Sequence, residues 1–249
     1  MIEADSLPPG TRVYTRHAAS GSLADRFTAD ERETWSLPQD GDDAIAAALG
    51  IAGLAGWVAV QERGRLAPGE RVLVLGATGT VGNVAVQAAR LLGASRIVAA
   101  GRDHERLEHT RELGADDVVA LDADDLPAAF RAAFPDGGPE LVIDPLWGAP
   151  ALAACQIAPI GMRLVNLGQS AAPTAELSSA IVRGRRLEII GHTVFEAPPD
   201  QLAAAHRAMV EHATAGRLRV DIEIVPLDDV AEAWERERLG PGRKLVVTP

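Results

Sequence analysis

Arg71-Val-Leu-Val-Leu-Gly-Ala-Thr-Gly-Thr-Val-Gly-Asn-Val-Ala-Val-Gln-Ala-Ala-Arg-Leu-Leu-Gly93 reads as a buried strand, a glycine turn and a helix. Residues 71–75 are a short apolar run, the pattern of a parallel strand covered on both faces. Gly76, Gly79 and Gly82 follow three apart. The spacing predicts a helix from about Asn83, with Val84, Val86, Ala88, Leu91 and Leu92 for packing and Gly93 as its stop. Each glycine has a separate task. The first permits the tight turn, the second lets backbone approach a pyrophosphate, and the third lets helix pack on strand. The helix N-terminus adds free N–H groups and a positive dipole end. The cofactor-binding candidates here are Gly76, Ala77, Thr78, Gly79, Thr80, Val81 and Gly82. A tight connection without a ligand is the competing reading; placement between strand and helix favours the ligand.

Composition narrows the function classes. The chain has 249 residues, 47% hydrophobic and 24% charged, with a formal charge of −11. That balance argues for solubility and against nucleic acid or an anionic membrane as partner. Cys155 is the sole cysteine, so no intrachain disulfide forms, and a reducing, cytoplasmic setting is expected. As a lone thiol it reads as a small buried residue rather than a nucleophile. Residues 1–10 carry neither a basic nor an apolar segment of the secretory type, and no apolar run reaches membrane-spanning length.

Strand and helix signals alternate beyond the fingerprint. Strands are expected at 96–100, 117–120, 140–143, 162–167 and 186–191. Helices are expected at 103–113, 124–134 and 149–156, with a helical turn at 175–182. Six short apolar strands with intervening helices predict an α/β fold, a doubly wound six-stranded parallel sheet of Rossmann type. The C-terminal part adds a helix at 199–215, a strand at 221–225, a helix at 227–237 and a strand at 244–247. Before the fingerprint, 42–48 opens a helix with Asp42 or Asp43 as N-cap. A small-residue stretch at 51–57 continues it, and 57–63 forms the next helix. Residues 1–43 differ in kind, with β-like pieces at 11–15 and 23–28 and turns at 8–10 and 20–22.

Three blocks give the chain a family likeness. They are Gly53-Leu-Ala-Gly-Trp57, the 72–93 fingerprint and helix, and Arg111-Glu-Leu-Gly-Ala-Asp116. Weaker echoes are Ile143-Asp-Pro-Leu-Trp-Gly148, 163–168, Gly21-Ser-Leu-Ala-Asp25 and Gly242-Arg-Lys-Leu-Val-Val247. With these the chain resembles the medium-chain dehydrogenase/reductase superfamily, in its zinc-independent quinone-reductase-like branch. The resemblance implies a partial, β-rich GroES-like catalytic domain at 1–43, a dinucleotide-binding Rossmann domain at 44–215 and a returning C-terminal segment at 216–249. It implies hydride transfer between NADPH and a quinone, enal or carbonyl substrate without zinc, and a homodimer through the sixth strand of the sheet. Members of this family are longer at the N-terminus, so weak turnover is expected of this chain. Ala55 stands where the family often carries a threonine.

The ribose site sets the choice of nucleotide. An acid about 20 residues past the fingerprint usually binds the ribose 2′-OH; here Arg102 follows the strand-end glycine. A guanidinium suits a 2′-phosphate, which favours NADPH over NADH. Asp103 fits either a ribose acid or a helix N-cap, with the cap preferred. Arg106 is either a second phosphate contact or a solvated helix residue. By resemblance, the backbone at Leu167, Gly168 and Gln169 bonds the nicotinamide carboxamide, and 192–194 lines the same crevice. The six histidines, at 17, 104, 109, 192, 206 and 212, show no ligand spacing, so no metal site is assigned. No catalytic residue is assigned either: Tyr14 and His17 are chemically capable but read as packing or surface residues.

Overall fold

The computed structural model describes residues 7–18, 21–238 and 243–249. Ser20 of the expected 20–22 turn, Gly242 of the C-terminal echo and residues 1–6 lie outside them. The chain divides into two compact units, 1–54 with 196–249, and 55–195. Segments 44–54 and 196–215 thus cluster with the chain ends.

In the first unit, β1 (Val13–Thr15) pairs antiparallel with β2 (Thr34–Ser36), Tyr14 facing Trp35. Helix α1 (Asp43–Ala48) is capped by Asp42, whose carboxylate accepts from the Ala44 and Ile45 amides at 2.7 and 3.2 Å. Helix α2 (Ile51–Val58) leads out of this unit.

The second unit holds β3 (Arg71–Leu75), α3 (Thr80–Leu91), β4 (Arg96–Gly101), α4 (His104–His109), β5 (Asp117–Ala120) and α5 (Leu126–Ala133). It continues through β6 (Leu141–Asp144), α6 (Gly148–Gln156), β7 (Arg163–Asn166), α7 (Ser179–Arg185) and β8 (Glu188–Gly191). The six strands form one parallel sheet in the order β5-β4-β3-β6-β7-β8. Leu73 lies beside Val98 on one side and Val142 on the other. All three are fully buried, as strands covered on both faces require. Phe130, Met162, Leu164 and Leu75 fill the core on one face. Helix α3 buries Val84, Val86 and Ala88.

The first unit is completed by α8 (Pro199–Thr214), β9 (Ile222–Pro226), α9 (Val230–Arg238) and β10 (Lys244–Thr248), with β9 and β10 parallel. Its core is tied by one polar residue. The fully buried His206 accepts from Trp35 Nε1 at its Nδ1 (3.1 Å) and donates from Nε2 to the Ala46 carbonyl (2.9 Å). The Tyr14 ring stacks 4.3 Å away, and burial raises its hydroxyl pKa to about 12.

Several expected elements move. Residues 23–28 form no strand; Leu23 and Phe27 are exposed. The true second strand, β2, buries only Trp35 and is too short to show a period. Helix α3 begins at Thr80 rather than Asn83, because Gly79 serves as its extended N-cap. The 57–63 helix is instead the end of α2 followed by a π turn, Ala59–Arg63. The 103–113 helix stops at His109 and continues as turns to Gly114, whose φ is +112°. The strand expected from 186 starts at Glu188, since Arg186 adopts a left-handed conformation at φ 49° that closes α7.

Candidate functional site

The fingerprint turn joins β3 to α3 at the carboxyl edge of the sheet. Gly76 turns the chain at φ +61°, the region glycine enters without strain. The Ala77 amide donates to the Ala100 carbonyl at 2.9 Å, fixing the turn to β4. Asn83 donates from its side chain to the Ala77 carbonyl. Gly82 packs so closely that a Cβ there would lie 2.3 Å from the Gly76 oxygen and 2.6 Å from Ala77 Cα. Gly79 is the opposite case: it is exposed, and the one neighbour a Cβ would meet stands 3.7 Å away. Helices α1, α4 and α5 are capped by aspartates 42, 103 and 125, but α3 has no capping side chain. The first-turn N–H groups of Thr80, Val81 and Gly82 have no intrahelical partner by construction. This end therefore offers donors, a positive dipole end and open space together.

The ribose end lies beside it on β4. Thr78 covers the strand end, its Cγ2 2.7 Å from where a Gly101 Cβ would stand. Arg102 is exposed, and its side chain makes no hydrogen bond or ion pair among the described residues. Asp103 caps α4 by accepting from the Arg106 amide at 3.1 Å. The Arg106 guanidinium lies 3.4 Å from the same carboxylate, so Asp103 occupies both the cap and Arg106.

At the other end, the strand exits of β6, β7 and β8 lie side by side. The Leu167 amide donates to the Asp144 carbonyl at 2.9 Å, Gly168 is half-buried and Gln169 is exposed. Asp144 is fully buried. Its carboxylate accepts from the amides of Leu146 (3.0 Å) and Trp147 (2.8 Å) and from Asn166 Nδ2 (3.0 Å). Burial pushes its pKa up against those bonds. The His192 amide donates to the Asn166 carbonyl at 2.9 Å. Its Nε2 is the one buried side-chain polar atom among the described residues without a partner. Burial, helped by the charge of Arg63, holds its pKa down to about 4, so the ring is neutral at neutral pH. Sequence reasoning missed Asp144 and Asn166. The available signal was a lone carboxylate ending the apolar run 141–144, which burial requires to be bonded.

Residues 80–211, over half the chain, match the zinc-binding dehydrogenase family model. The chain belongs to that family. It is a medium-chain dehydrogenase/reductase of quinone-reductase-like type. It is similar to the human quinone oxidoreductase, with 28% identity over 96% of this chain and 72% of that protein. It is also similar to a mycocerosic acid synthase-like polyketide synthase of Mycobacterium tuberculosis, with 30% identity over 60% of this chain. The matched stretch is 7% of that synthase's length. Among solved structures, a quinone oxidoreductase of Escherichia coli complexed with NADPH shares the fold at a TM-score of 0.85 and 19% identity, covering 99% of this chain and 77% of that one.

The family description raises zinc, and the donor set of the described residues does not suit it. Among the described residues no three His, Cys, Asp or Glu side chains gather. The buried Cys155 thiol is pushed up to about 11, away from thiolate. Both ring nitrogens of His206 are engaged. His104 and His109 face Asp122 and Glu112 as single pairs. A dinucleotide fits better: the uncapped α3, the space over Gly79 and the orphan His192 Nε2 all lie along the carboxyl edge of one sheet, where such ligands bind. No helix among the described residues is long and apolar enough to cross a membrane.

Proposed function

We propose that this chain is an NADPH-dependent, zinc-independent reductase of the quinone-reductase type, acting on a small quinone, enal or activated carbonyl. The observation that carries the reading is the α3 N-terminus, closed to a side chain at Gly82 and open at Gly79, with no capping side chain. NADPH is preferred because Arg102 is exposed and unpaired while Asp103 is spent on the cap. The NADPH complex of the similar Escherichia coli protein supports the same choice.

When bound, the nicotinamide supplies a hydride. The chain's residues do the rest. Backbone N–H groups of 80–82 hold the pyrophosphate, Arg102 holds the 2′-phosphate, and the Leu167–Gln169 backbone orients the carboxamide. Holding reactants at near-attack distance is the main device where no metal polarises the substrate. We also propose a homodimer through β8, whose outer edge has no partner strand among the described residues.

A second reading is a dinucleotide-binding module without turnover. Its support is that the features described above, the α3 N-terminus, Arg102 and the β7 exit, all serve nucleotide binding. NADPH oxidation, followed by nicotinamide absorbance against a panel of quinones and enals, separates the two. Turnover that Gly79→Val abolishes supports the reductase; NADPH binding with no turnover on any acceptor supports the module.

A further inference from the structure

Asn166 ends β7 and meets three strand exits at once. Its Nδ2 donates to Asp144 Oδ2 at 3.0 Å and to the Gly168 carbonyl at 2.8 Å. Its own carbonyl accepts from the His192 amide. The Asp144 carboxylate is divided between two tasks: Oδ1 takes the Leu146 and Trp147 amides, and Oδ2 takes Asn166. The two segments touch through backbone as well, since a Cβ at Gly168 would lie 2.5 Å from the Pro145 carbonyl oxygen.

The loop that Asp144 holds is strained. Trp147 sits at φ 58° and ψ −166°, a region that glycine alone enters freely. Such a conformation is unfavourable for a side-chain-bearing residue and persists where its surroundings over-determine it. Two hydrogen bonds to one buried carboxylate provide that constraint. A purely mechanical turn here would be made more cheaply with glycine at 147. A strained aromatic residue fixed by a buried acid, at a strand exit facing the expected ligand, points instead to preorganisation.

We propose that Asp144 and Asn166 form a latch that positions the Leu167–Gln169 backbone for the nicotinamide half of the cofactor, while the adenosine half is held elsewhere. The proposal rests on the NADPH reading above. Both are positioning residues, since they act through Gly168 and the 145–147 loop. The adenosine half depends on the α3 N-terminus and Arg102, at β3 and β4, which the Asn166 side chain does not touch.

The test uses two ligands, NADPH and 2′-phospho-ADP-ribose, which lacks the nicotinamide. Asn166→Val removes every Nδ2 bond, to Asp144 Oδ2, to the Asp144 carbonyl (3.3 Å) and to the Gly168 carbonyl, and leaves Asp144 Oδ1 on its loop; Asn166→Thr keeps one hydroxyl donor. Calorimetric titration of Asn166→Val should show NADPH affinity falling by about tenfold, the scale of a lost orienting hydrogen bond. Affinity for 2′-phospho-ADP-ribose should stay within about twofold of wild type. Asn166→Thr should fall between, and it carries the test if the valine variant does not fold. Equal losses for the two ligands, or no loss for either, would overturn the latch while wild-type binding upheld the cofactor reading. Wild-type protein that bound neither ligand would overturn both.

Discussion

The exposed Arg102 guanidinium stands one residue past Gly101, with Asp103 beside it already bonded to the Arg106 amide. A charge-assisted bond to a 2′-phosphate contributes about 1.5–3 kcal/mol. Arg102→Ala should weaken NADPH binding by roughly ten- to a hundredfold on that basis and leave NADH nearly unchanged; a fluorescence titration in which both cofactors lose equally would contradict the role. His206 makes a prediction about pH. Its folded pKa is pushed down to about 4, below the unfolded value of about 6.5. Between those values the unfolded chain takes up a proton that the folded ring refuses, so stability falls as pH falls through the window and no further below it. The contribution is about 3 kcal/mol at full extent. His206→Gln, whose amide serves both Trp35 and Ala46, should shrink the drop in urea midpoint between neutral pH and about pH 5. His192 has the same sign, so part of the slope remains. An unchanged slope would contradict the assignment. At this scale the sequence was legible where the task is local: Asp103 reads as a cap, and the cap of α1 narrows to Asp42 or Asp43, of which the structure takes Asp42. Asp144 and Asn166 were not, because they join to each other and to His192 from three strands that meet only in the folded sheet.

Among the elements, β3 was legible to the residue because a strand covered on both faces is apolar throughout. β2 was not, because three residues with one buried side chain carry no period. Helix α3 was placed three residues late: a glycine N-cap lacks the side-chain signal that marks α1, α4 and α5. The contrast within the glycine triplet is testable. A Cβ at Gly82 meets the backbone of Gly76 and Ala77, which neither rotamer change nor side-chain shift relieves, so Gly82→Ala should cost about 1–3 kcal/mol of overpacking in thermal melting. A melting temperature equal to wild type would show that the turn gives way. The β8 edge is a second element-scale claim. It ends the sheet with Ile189 43% exposed, and an open edge invites pairing. Two such edges about a two-fold axis satisfy each other. Light scattering at micromolar concentration should give the mass of a dimer, and a monomer mass would contradict it.

For the whole molecule, the alternation of strands and helices was enough to read a doubly wound parallel sheet, since parallel crossovers of one hand leave few topologies. The division into units was harder to read, because 44–54 and 196–215 are distant in sequence and join through buried contacts such as His206 to Ala46. The central claim is that the α3 N-terminus holds the pyrophosphate of NADPH. Gly79 permits a direct test, because its neighbourhood is open and its φ of −90° suits any residue. A valine there should leave the fold intact and fill the space the pyrophosphate needs. The decisive measurement is an NADPH fluorescence titration of wild type and Gly79→Val, with circular dichroism to show that both are folded. The account predicts saturable binding by wild type and none by the folded variant; equal affinity in the two proteins would contradict it.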